Sequence, residues 1–309
     1  MRKQSHTSVK LYQRCAKKYE YKYIRRLDPE YRPAHLERGS RLHQGLALYH
    51  TYDPAFADWI LDADKEDTDI LFRYAEKWQD DDIDWTVEHA EEEFELEMGP
   101  YTLRFIPDLV IRHRGELWVV DHKTTANIPD EWDPYNMTDF QHLLYVAGIQ
   151  EQLGPVAGFM FNYIRTKPPT QPKLIKDGSR IAAVRTLDTD YNTLHEFARK
   201  TGQLEDPDVI DKLNILKHSP DRFFQRHWLP VSQSAVQEAV RDTYGVMSEI
   251  SAREAGRLPG GFPRHVVGSY GGMSSCARCE YQPLCHTELL GIEVDVEVLG
   301  YVEREERDG

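Results

Sequence analysis

The stretch IPDLVIRHRGELWVVDHKTT, residues 106–125, constrains the fold of this chain more than any other. It predicts two strands joined by a tight turn, the second a short buried strand over 116–120. Asp108, Asp121 and Lys123 stand at or near the ends of these strands, where packing gives no reason to place charges. Two carboxylates and an ammonium so close together indicate a functional site.

The two acids predict a divalent-metal site. Carboxylates that lie close together without a counter-cation repel and raise each other's pKa. Mg²⁺ and Mn²⁺ resolve this conflict because they prefer carboxylate, carbonyl and water oxygens. Lys123 lies two residues beyond Asp121, so in a strand both side chains point to the same face. An ammonium there can orient or help to deprotonate an attacking water, or neutralise charge developing on a phosphate.

Hydrophobic periodicity divides the chain into helices and strands, without an internal repeat and without a Walker or dinucleotide fingerprint. An α/β fold follows, with a mixed β-sheet flanked by helices and a core over about 84–166. Helices are predicted for 8–26, 34–51, 66–80, 138–153, 189–202, 206–217 and 231–256. Strands are predicted near Val87, Phe94 and Leu96 and over 101–110 and 158–165.

Composition indicates a globular cytoplasmic protein. No apolar run approaches the roughly 18 residues of a membrane span, and the N-terminus lacks the apolar segment of a signal peptide. The formal net charge is −14, which argues against a generally adhesive nucleic-acid binder. Residues 1–41 nevertheless carry twelve Lys or Arg against four Asp or Glu. This basic segment is either a solvated helix face or a phosphate-facing surface, in which case Tyr19 and Tyr23 are expected near the catalytic cleft.

The four cysteines predict a metal or cluster site. Cys276, Cys279 and Cys285 form a C-x2-C-x5-C pattern, and Cys15 lies far upstream. Structural disulfides are rare in the reducing cytoplasm. Four soft thiolates suit an iron–sulfur cluster or zinc; the alternative is that the cysteines are small buried apolar residues.

Three sequence elements together resemble a known family. The "PD" at 107–108, followed after twelve residues by "DHK" at 121–123, is similar to the signature of PD-(D/E)XK nucleases. The helix motif "QHLLY" at 141–145 resembles the QxxxY element of the RecB-like branch. The stretch "GSRLH" at 39–43 resembles the histidine helix that precedes the core in that branch.

This resemblance implies a restriction-endonuclease-like core within a single domain over 1–292, followed by a charged tail over 293–309. One departure from the commoner pattern is Asp121 in place of Glu, which is one methylene longer. In the pattern of the family, Mg²⁺ or Mn²⁺ is bound by His43, Asp108, Asp121 and the main-chain carbonyl of His122. Lys123 would position the attacking water and stabilise the pentacovalent phosphate. Gln141 and Tyr145 would contact DNA or brace the lysine.

The cysteine arrangement, one before the core and three after it, resembles that of iron–sulfur RecB-like exonucleases. Those proteins include AddB-type helicase–nuclease subunits and CRISPR-associated exonucleases, with homologues in phages. The resemblance implies a [4Fe–4S] cluster that joins the N- and C-terminal segments, bound by Cys15, Cys276, Cys279 and Cys285.

The expected activity is a Mg²⁺- or Mn²⁺-dependent deoxyribonuclease, and an exonuclease before an endonuclease. Its substrate would be DNA that is single-stranded or has a free end, in recombination, repair or end processing within a bacterial or phage-infected cell. Any helicase or recombination partner would be another chain. The alternative is a catalytically inactive DNA-binding or assembly protein of the same fold, stapled by zinc. The complete set of His43, Asp108, Asp121 and Lys123 argues against that alternative.

Overall fold

The computed structural model describes residues 3–30, 34–79, 84–128, 140–219, 221–265 and 275–304. The helices are α1 (His6–Arg14), α2 (Ala16–Tyr19), α3 (Ala34–His50), α4 (Ala55–Asp62), α5 (Lys65–Trp78), α6 (Gln141–Leu153), α7 (Tyr191–Thr201), α8 (Pro207–His218), α9 (Gln233–Glu254) and α10 (Gln282–Leu289). The strands are β1 (Gln4–Ser5), β2 (Leu27–Pro29), β3 (Trp85–Ala90), β4 (Phe94–Met98), β5 (Tyr101–Phe105), β6 (Leu109–His113), β7 (Glu116–Thr125), β8 (Val156–Arg165), β9 (Phe224–Pro230) and β10 (Tyr301–Glu303). No helix in these ranges is long and apolar enough to cross a bilayer.

The central sheet has five strands in the order β3-β6-β7-β8-β9. Among the described strands of this sheet, only β7 and β8 pair in parallel, and α6 lies in the connection between them. The remaining pairs are antiparallel. The predicted mixed sheet with flanking helices is confirmed. Several elements were not predicted: helices α4 and α10, the short strands β1, β2 and β10, and strand β9. Of these, β9 joins the central sheet from outside the range 84–166.

Alternation along β7 directs its side chains to two different layers. Leu117 and Val119 belong to an apolar cluster with Leu144 of α6, on one side of the sheet. Val120 belongs to a separate cluster on the other side. The side chains of Asp121 and Lys123 therefore follow the α6 side, and that of His122 follows the opposite side, where α3 and α5 pack.

Strand β7 continues to Thr125, beyond the end predicted at Val120. Its partner β8 pairs with it along this whole length, with Asp121 opposite Phe161 and Thr125 opposite Arg165. The prediction that the strand stops before the charged residues is therefore wrong. Asp121 and Lys123 lie inside a paired strand, which fixes their backbone.

The predicted strand over 101–110 is two strands in two different sheets. Its first part, β5, pairs with β4 and β1 in a three-stranded sheet, and its second part begins β6. The break falls at Pro107, which has no N–H to offer a sheet partner. Asp108, the next residue, consequently lies outside any strand, directly before β6.

The two ends of the chain pack together. The predicted helix over 8–26 is interrupted at Cys15, whose backbone is extended with φ −163°. Further along, β2 pairs with β10, and the buried ring of Tyr301 lies in that strand. The expected tail over 293–309 is thus paired in part with the N-terminal segment. Residue 80 of the helix predicted over 66–80, residues 138–139 of the helix predicted over 138–153, and residues 305–309 lie outside the described residues.

Candidate active site

The ends of three neighbouring strands bring the acidic groups together. Antiparallel pairing sets Leu109 opposite Val120, so Asp108 precedes β6 at the place where Asp121 continues β7. Pairing of β3 with β6 sets Ala90 opposite Leu109, which brings Glu91 to the same place. The backbone N–H of Glu91 donates to the Asp108 carbonyl at 3.1 Å.

Asp108 is held from two directions. Its Oδ1 lies 3.0 Å from Nδ1 of His43 on α3, and its Oδ2 accepts a hydrogen bond from the backbone N–H of His122. Burial by itself would raise the pKa of Asp108, but the contacts with His43 and His122 outweigh burial and lower it. Burial likewise opposes protonation of His43, yet the Asp108 carboxylate raises the pKa of the imidazole. Asp108 is therefore an ionised carboxylate.

Helix α3 is fixed so that His43 faces the strand ends. The buried carboxylate of Asp67 on α5 lies 2.6 Å from Nε of Arg38 on α3. A Cβ placed on Gly39 would come within 3.4 Å of the Thr124 side chain, so the helix passes close to the end of β7. Leu42 and Leu46 are fully buried on the same helix, in a cluster with α4 and α5.

Asp121 and Lys123 form an ion pair at the buried end of β7. Lys123 Nζ lies 2.6 Å from Asp121 Oδ2, and Asp121 is only 6% exposed. Burial raises the pKa of Asp121 to about 6, aided by the charge of Asp108 and partly offset by Lys123. The ammonium also lies 5.8 Å from the ring of Phe161 on β8. The site therefore disfavours the ionised form of Asp121, and a bound cation would stabilise that form.

Glu91 completes a group of possible metal ligands with His43 and Asp108. Ligand atoms of these three residues all lie within 4.8 Å of one another, and they are the only such group of His, Cys, Asp and Glu among the described residues. Burial and the charge of Asp108 raise the pKa of Glu91 to about 6. Its backbone has φ +51°, a left-handed conformation that non-glycine residues rarely adopt. The two carboxylates of this group suit Mn²⁺ or Mg²⁺.

Glu91 was missed in the sequence because it belongs to the acidic run EHAEEEFELE, which has the appearance of a solvated surface. A usable signal was its position close to the strand predicted near Val87, since Asp108 and Asp121 were also predicted at or near strand ends. Asp121, predicted as a metal ligand, lies outside the group of three and is paired with Lys123. The ligand roles of Asp121 and of the His122 carbonyl stay predictions.

Helix α6 contacts the site through the two residues of its predicted motif. Gln141 Nε2 donates to the Tyr145 hydroxyl at 2.9 Å and lies 3.5 Å from Asp121 Oδ1. The ring of Tyr145 is 8% exposed and stacks on Phe105 with 4.9 Å between ring centroids. These contacts place Gln141 beside Asp121. The roles predicted for the pair, contact with DNA or bracing of Lys123, stay predictions.

The His122 side chain is anchored in a buried polar network on the opposite side of β7. Asn162 Nδ2 donates to His122 Nδ1 at 2.8 Å and to the Tyr74 hydroxyl at 2.7 Å. The same hydroxyl lies 3.0 Å from Nε2 of His50 and accepts from Arg226 at 2.7 Å. Burial lowers the pKa of His122 to about 3, so its ring is neutral. The network fixes the residue whose backbone N–H holds Asp108.

The cysteines lie where the two ends of the chain meet. Burial raises the pKa of the Cys279 thiol, and the nearby Cys15 adds to the shift. Cys279 and Cys285 both border a small apolar cluster that contains Tyr21 of the N-terminal segment. Cys276 lies one turn from Cys279, whose N–H donates to its carbonyl at 3.2 Å. All four thiols are partly exposed.

Part of the basic N-terminal segment contacts the C-terminal segment at this junction. Lys17 and Arg25 pair with Glu288, and Lys18 lies 2.6 Å from Glu280. Tyr19 has no exposed surface, so it cannot contact DNA in the way that a phosphate-facing surface of this segment would require. Its ring packs instead against Tyr12 and Phe262, and its hydroxyl donates a hydrogen bond to Glu254 at 2.9 Å.

Comparison with known proteins identifies what the chain is similar to. A model of the PD-(D/E)XK nuclease superfamily matches residues 3–286. The crystal structure of a "putative exonuclease" from Eubacterium rectale aligns with 14% identity and a TM-score of 0.51, over 96% of this chain and 92% of that one. At this identity the likeness concerns the fold. A second solved structure, SSO0001, aligns over 90% of this chain and 84% of that one, at 15% identity and a TM-score of 0.32. No curated protein matches the sequence significantly.

Proposed function

Because the chain belongs to the PD-(D/E)XK nuclease superfamily, we propose that it is a divalent-metal-dependent deoxyribonuclease that digests DNA from a free end. The observation that carries the proposal is the convergence of His43, Glu91 and Asp108 beside the Asp121–Lys123 ion pair. A catalytically inactive relative would have no need to keep this buried carboxylate beside a lysine at the end of β7.

The donor set fits Mg²⁺ or Mn²⁺. His43, Glu91 and Asp108 would hold the ion, and Asp121 and the main-chain carbonyl of His122 would be further ligands. A divalent cation bound there supplies Lewis acidity and offsets the negative charge of the scissile phosphate. The raised pKa values of Asp121 and Glu91 are consistent with a site that favours positive charge.

Lys123 would act on the reacting groups. Its ammonium sits on the same side of β7 as Asp121, within a paired strand, and is therefore preorganised. It donates hydrogen bonds to the attacking water and to the phosphate oxygen on which negative charge develops. Gln141 supports this arrangement from α6 through its contacts with Asp121 and Tyr145.

The RecB-like motif set and the four cysteines support an exonuclease with a [4Fe–4S] cluster. Thiols from both chain ends lie at one junction, the chemistry of soft thiolates suits iron, and Arg264 Nε lies 3.2 Å from Cys285 Sγ. The cluster would be structural, since the segments that it joins are distinct from the strands that carry Asp108 and Asp121. A helicase or recombination protein in another chain would present the DNA end in the cytoplasm.

A direct test compares linear and covalently closed circular DNA of the same sequence. The protein is purified without oxygen, supplied with Mn²⁺ and incubated with each substrate labelled throughout. The proposal predicts release of short products from linear DNA, none from the circle, and no release with EDTA. Equal cleavage of the circle would identify an endonuclease, and no cleavage of either substrate would refute the nuclease activity.

A further inference from the structure

The segment between β8 and β9 begins with a basic arm, defined here as residues 166–187. It contains five Lys or Arg and one Asp, in a chain of net charge −14. The arm contains no Phe, Tyr or Trp. The basic residues are Lys167, Lys173, Lys176, Arg180 and Arg185.

The middle of the arm folds back on itself. Leu174 and Ile181 form an antiparallel bridge, and the Ala182 N–H donates to the Lys173 carbonyl at 2.8 Å. The chain reverses at Gly178, whose φ of +75° favours glycine. This folded-back shape carries basic side chains along both limbs.

Three of these side chains are available to a ligand. Lys173, Lys176 and Arg180 are exposed, and within the described ranges none forms an ion pair with a carboxylate. The other two are already paired, Lys167 with Asp188 and Arg185 with Asp208. The one carboxylate of the arm, Asp177, lies in the same turn and accepts a hydrogen bond from Ser179. The three cations therefore exceed the negative charge of this turn, on a protein whose carboxylates outnumber its cations.

The base of the arm is fixed beside the catalytic strand. Arg165, the last residue of β8, is 4% exposed and makes two hydrogen bonds to Asp188 at 2.9 and 2.6 Å. Its Nε also donates to the Ala126 carbonyl at 3.0 Å. The Thr166 N–H donates to the Thr125 carbonyl at 2.8 Å, two residues after Lys123. Both ends of the arm are therefore tied to the end of β7 at which the candidate active site lies.

An apolar layer supports the arm from behind. Ile181 and Val184 are buried in a cluster with Leu194 of α7 and Val209 of α8. The arm thus has an apolar inner side and a cationic outer side. A cationic side without aromatic residues suits a sugar–phosphate backbone, because stacking on bases needs aromatic rings.

Building on the proposed function, we propose that the basic arm binds phosphates of the DNA substrate outside the nucleotide being cleaved. Lys173, Lys176 and Arg180 would be the contacts. Point charges of this kind bind without regard to base sequence, as an exonuclease requires. The overall negative charge of the protein would confine the DNA to this path.

The test uses the triple substitution Lys173→Gln, Lys176→Gln and Arg180→Gln. A matched control, Arg199→Gln with Lys200→Gln and Lys217→Gln, removes the same charge from exposed positions on α7 and α8. Both variants are measured by Mn²⁺-dependent digestion of a long oligonucleotide and of a nitrophenyl ester of thymidine monophosphate. DNA binding is measured separately by fluorescence anisotropy in an Asp121→Asn background, which does not depend on cleavage.

The arm variant should raise KM and Kd for the oligonucleotide about tenfold or more, and lower the slope of log Kd against log salt by about 2 to 3. Its kcat and its activity on the small ester should equal those of the wild type, and the control variant should match the wild type throughout. Unchanged Kd and salt slope in the arm variant would overturn the proposal, as would an equal loss in the control. If the wild-type protein cleaved no DNA but its DNA binding still depended on the arm, the proposed role of the arm in DNA binding would be supported. Only the proposed nuclease activity would then be refuted.

Discussion

The backbone N–H of His122 donates a hydrogen bond to the carboxylate of Asp108, and so joins strand β7 to the turn that precedes β6. The residues on either side of His122 in β7 are Asp121 and Lys123, and all three pair with β8. A displacement of β7 along its partners would move Asp121 and Lys123 away from Asp108. The geometry of the site is therefore a consequence of strand register.

Metal affinity should fall as the pH drops through about 6. Burial is the main cause that raises the pKa values of Asp121 and Glu91 to about 6 each. Below that pH both carboxyls take up protons, and protons compete with the cation. Calorimetric titration with Mn²⁺ between about pH 5 and about pH 8 should show weakening on the acid side. If the Mn²⁺ affinity did not change over this pH range, the assignment of these carboxyls to the metal site would be contradicted.

Glu91→Gln should weaken Mn²⁺ binding, because the substitution removes a negative charge next to Asp108 and His43. The loss should at least equal the roughly tenfold effect of removing a second-sphere partner of a metal. Glu93→Gln is the matched control, since Glu93 is exposed two residues along and pairs only loosely with Arg104 at 3.7 Å. Equal Mn²⁺ affinity of the two variants in calorimetry would exclude Glu91 from the site.

Lys123→Ala should keep the metal but slow the reaction. The ammonium is proposed to act on the water and the phosphate, so kcat should fall by a factor of about 10² or more, as for loss of a transition-state donor. Mn²⁺ affinity should be retained or improved, because Asp121 loses a competing cation. The control is Lys217→Ala at an exposed position on α8. A kcat close to that of the wild type would remove Lys123 from the mechanism.

The sequence predicted the parts of the site that depend on local order. Asp108, Asp121 and Lys123 lie within one strand-turn-strand unit, and Gln141 and Tyr145 lie one helical turn apart, so spacing alone relates them. The mixed sheet with flanking helices could be predicted for the same reason, because the strands and helices follow from the local periodicity of the sequence.

Features that depend on contacts distant in sequence could not be predicted. Glu91 reaches the site only because β3 pairs with β6. The polar end of β7 is a strand only because β8 pairs with it as far as Thr125. Tyr19 in a basic segment suggested DNA, whereas the contacts of that segment with the C-terminal residues bury it.

Cys279→Ala should give colourless protein of lower stability. Joining Cys15 to the three later thiols closes a loop of more than 250 residues, which by analogy with a disulfide stabilises the fold by about 5 kcal/mol. The variant should melt at a lower temperature and be cut sooner by protease in its C-terminal segment. Its activity per folded molecule should fall less than that of Asp121→Asn. Wild-type protein prepared without oxygen that contains zinc and no iron would refute the iron–sulfur assignment.

The most direct test of the central claim is Mn²⁺-dependent digestion of end-labelled linear DNA by three matched Asp→Asn variants. Asp108→Asn and Asp121→Asn each remove a charge from the candidate site, and Asp242→Asn removes one from an exposed position on α9. Circular dichroism establishes that all three remain folded. We predict that the first two release no labelled nucleotide while Asp242→Asn digests DNA at the wild-type rate. Digestion near the wild-type rate by either Asp108→Asn or Asp121→Asn would contradict the account.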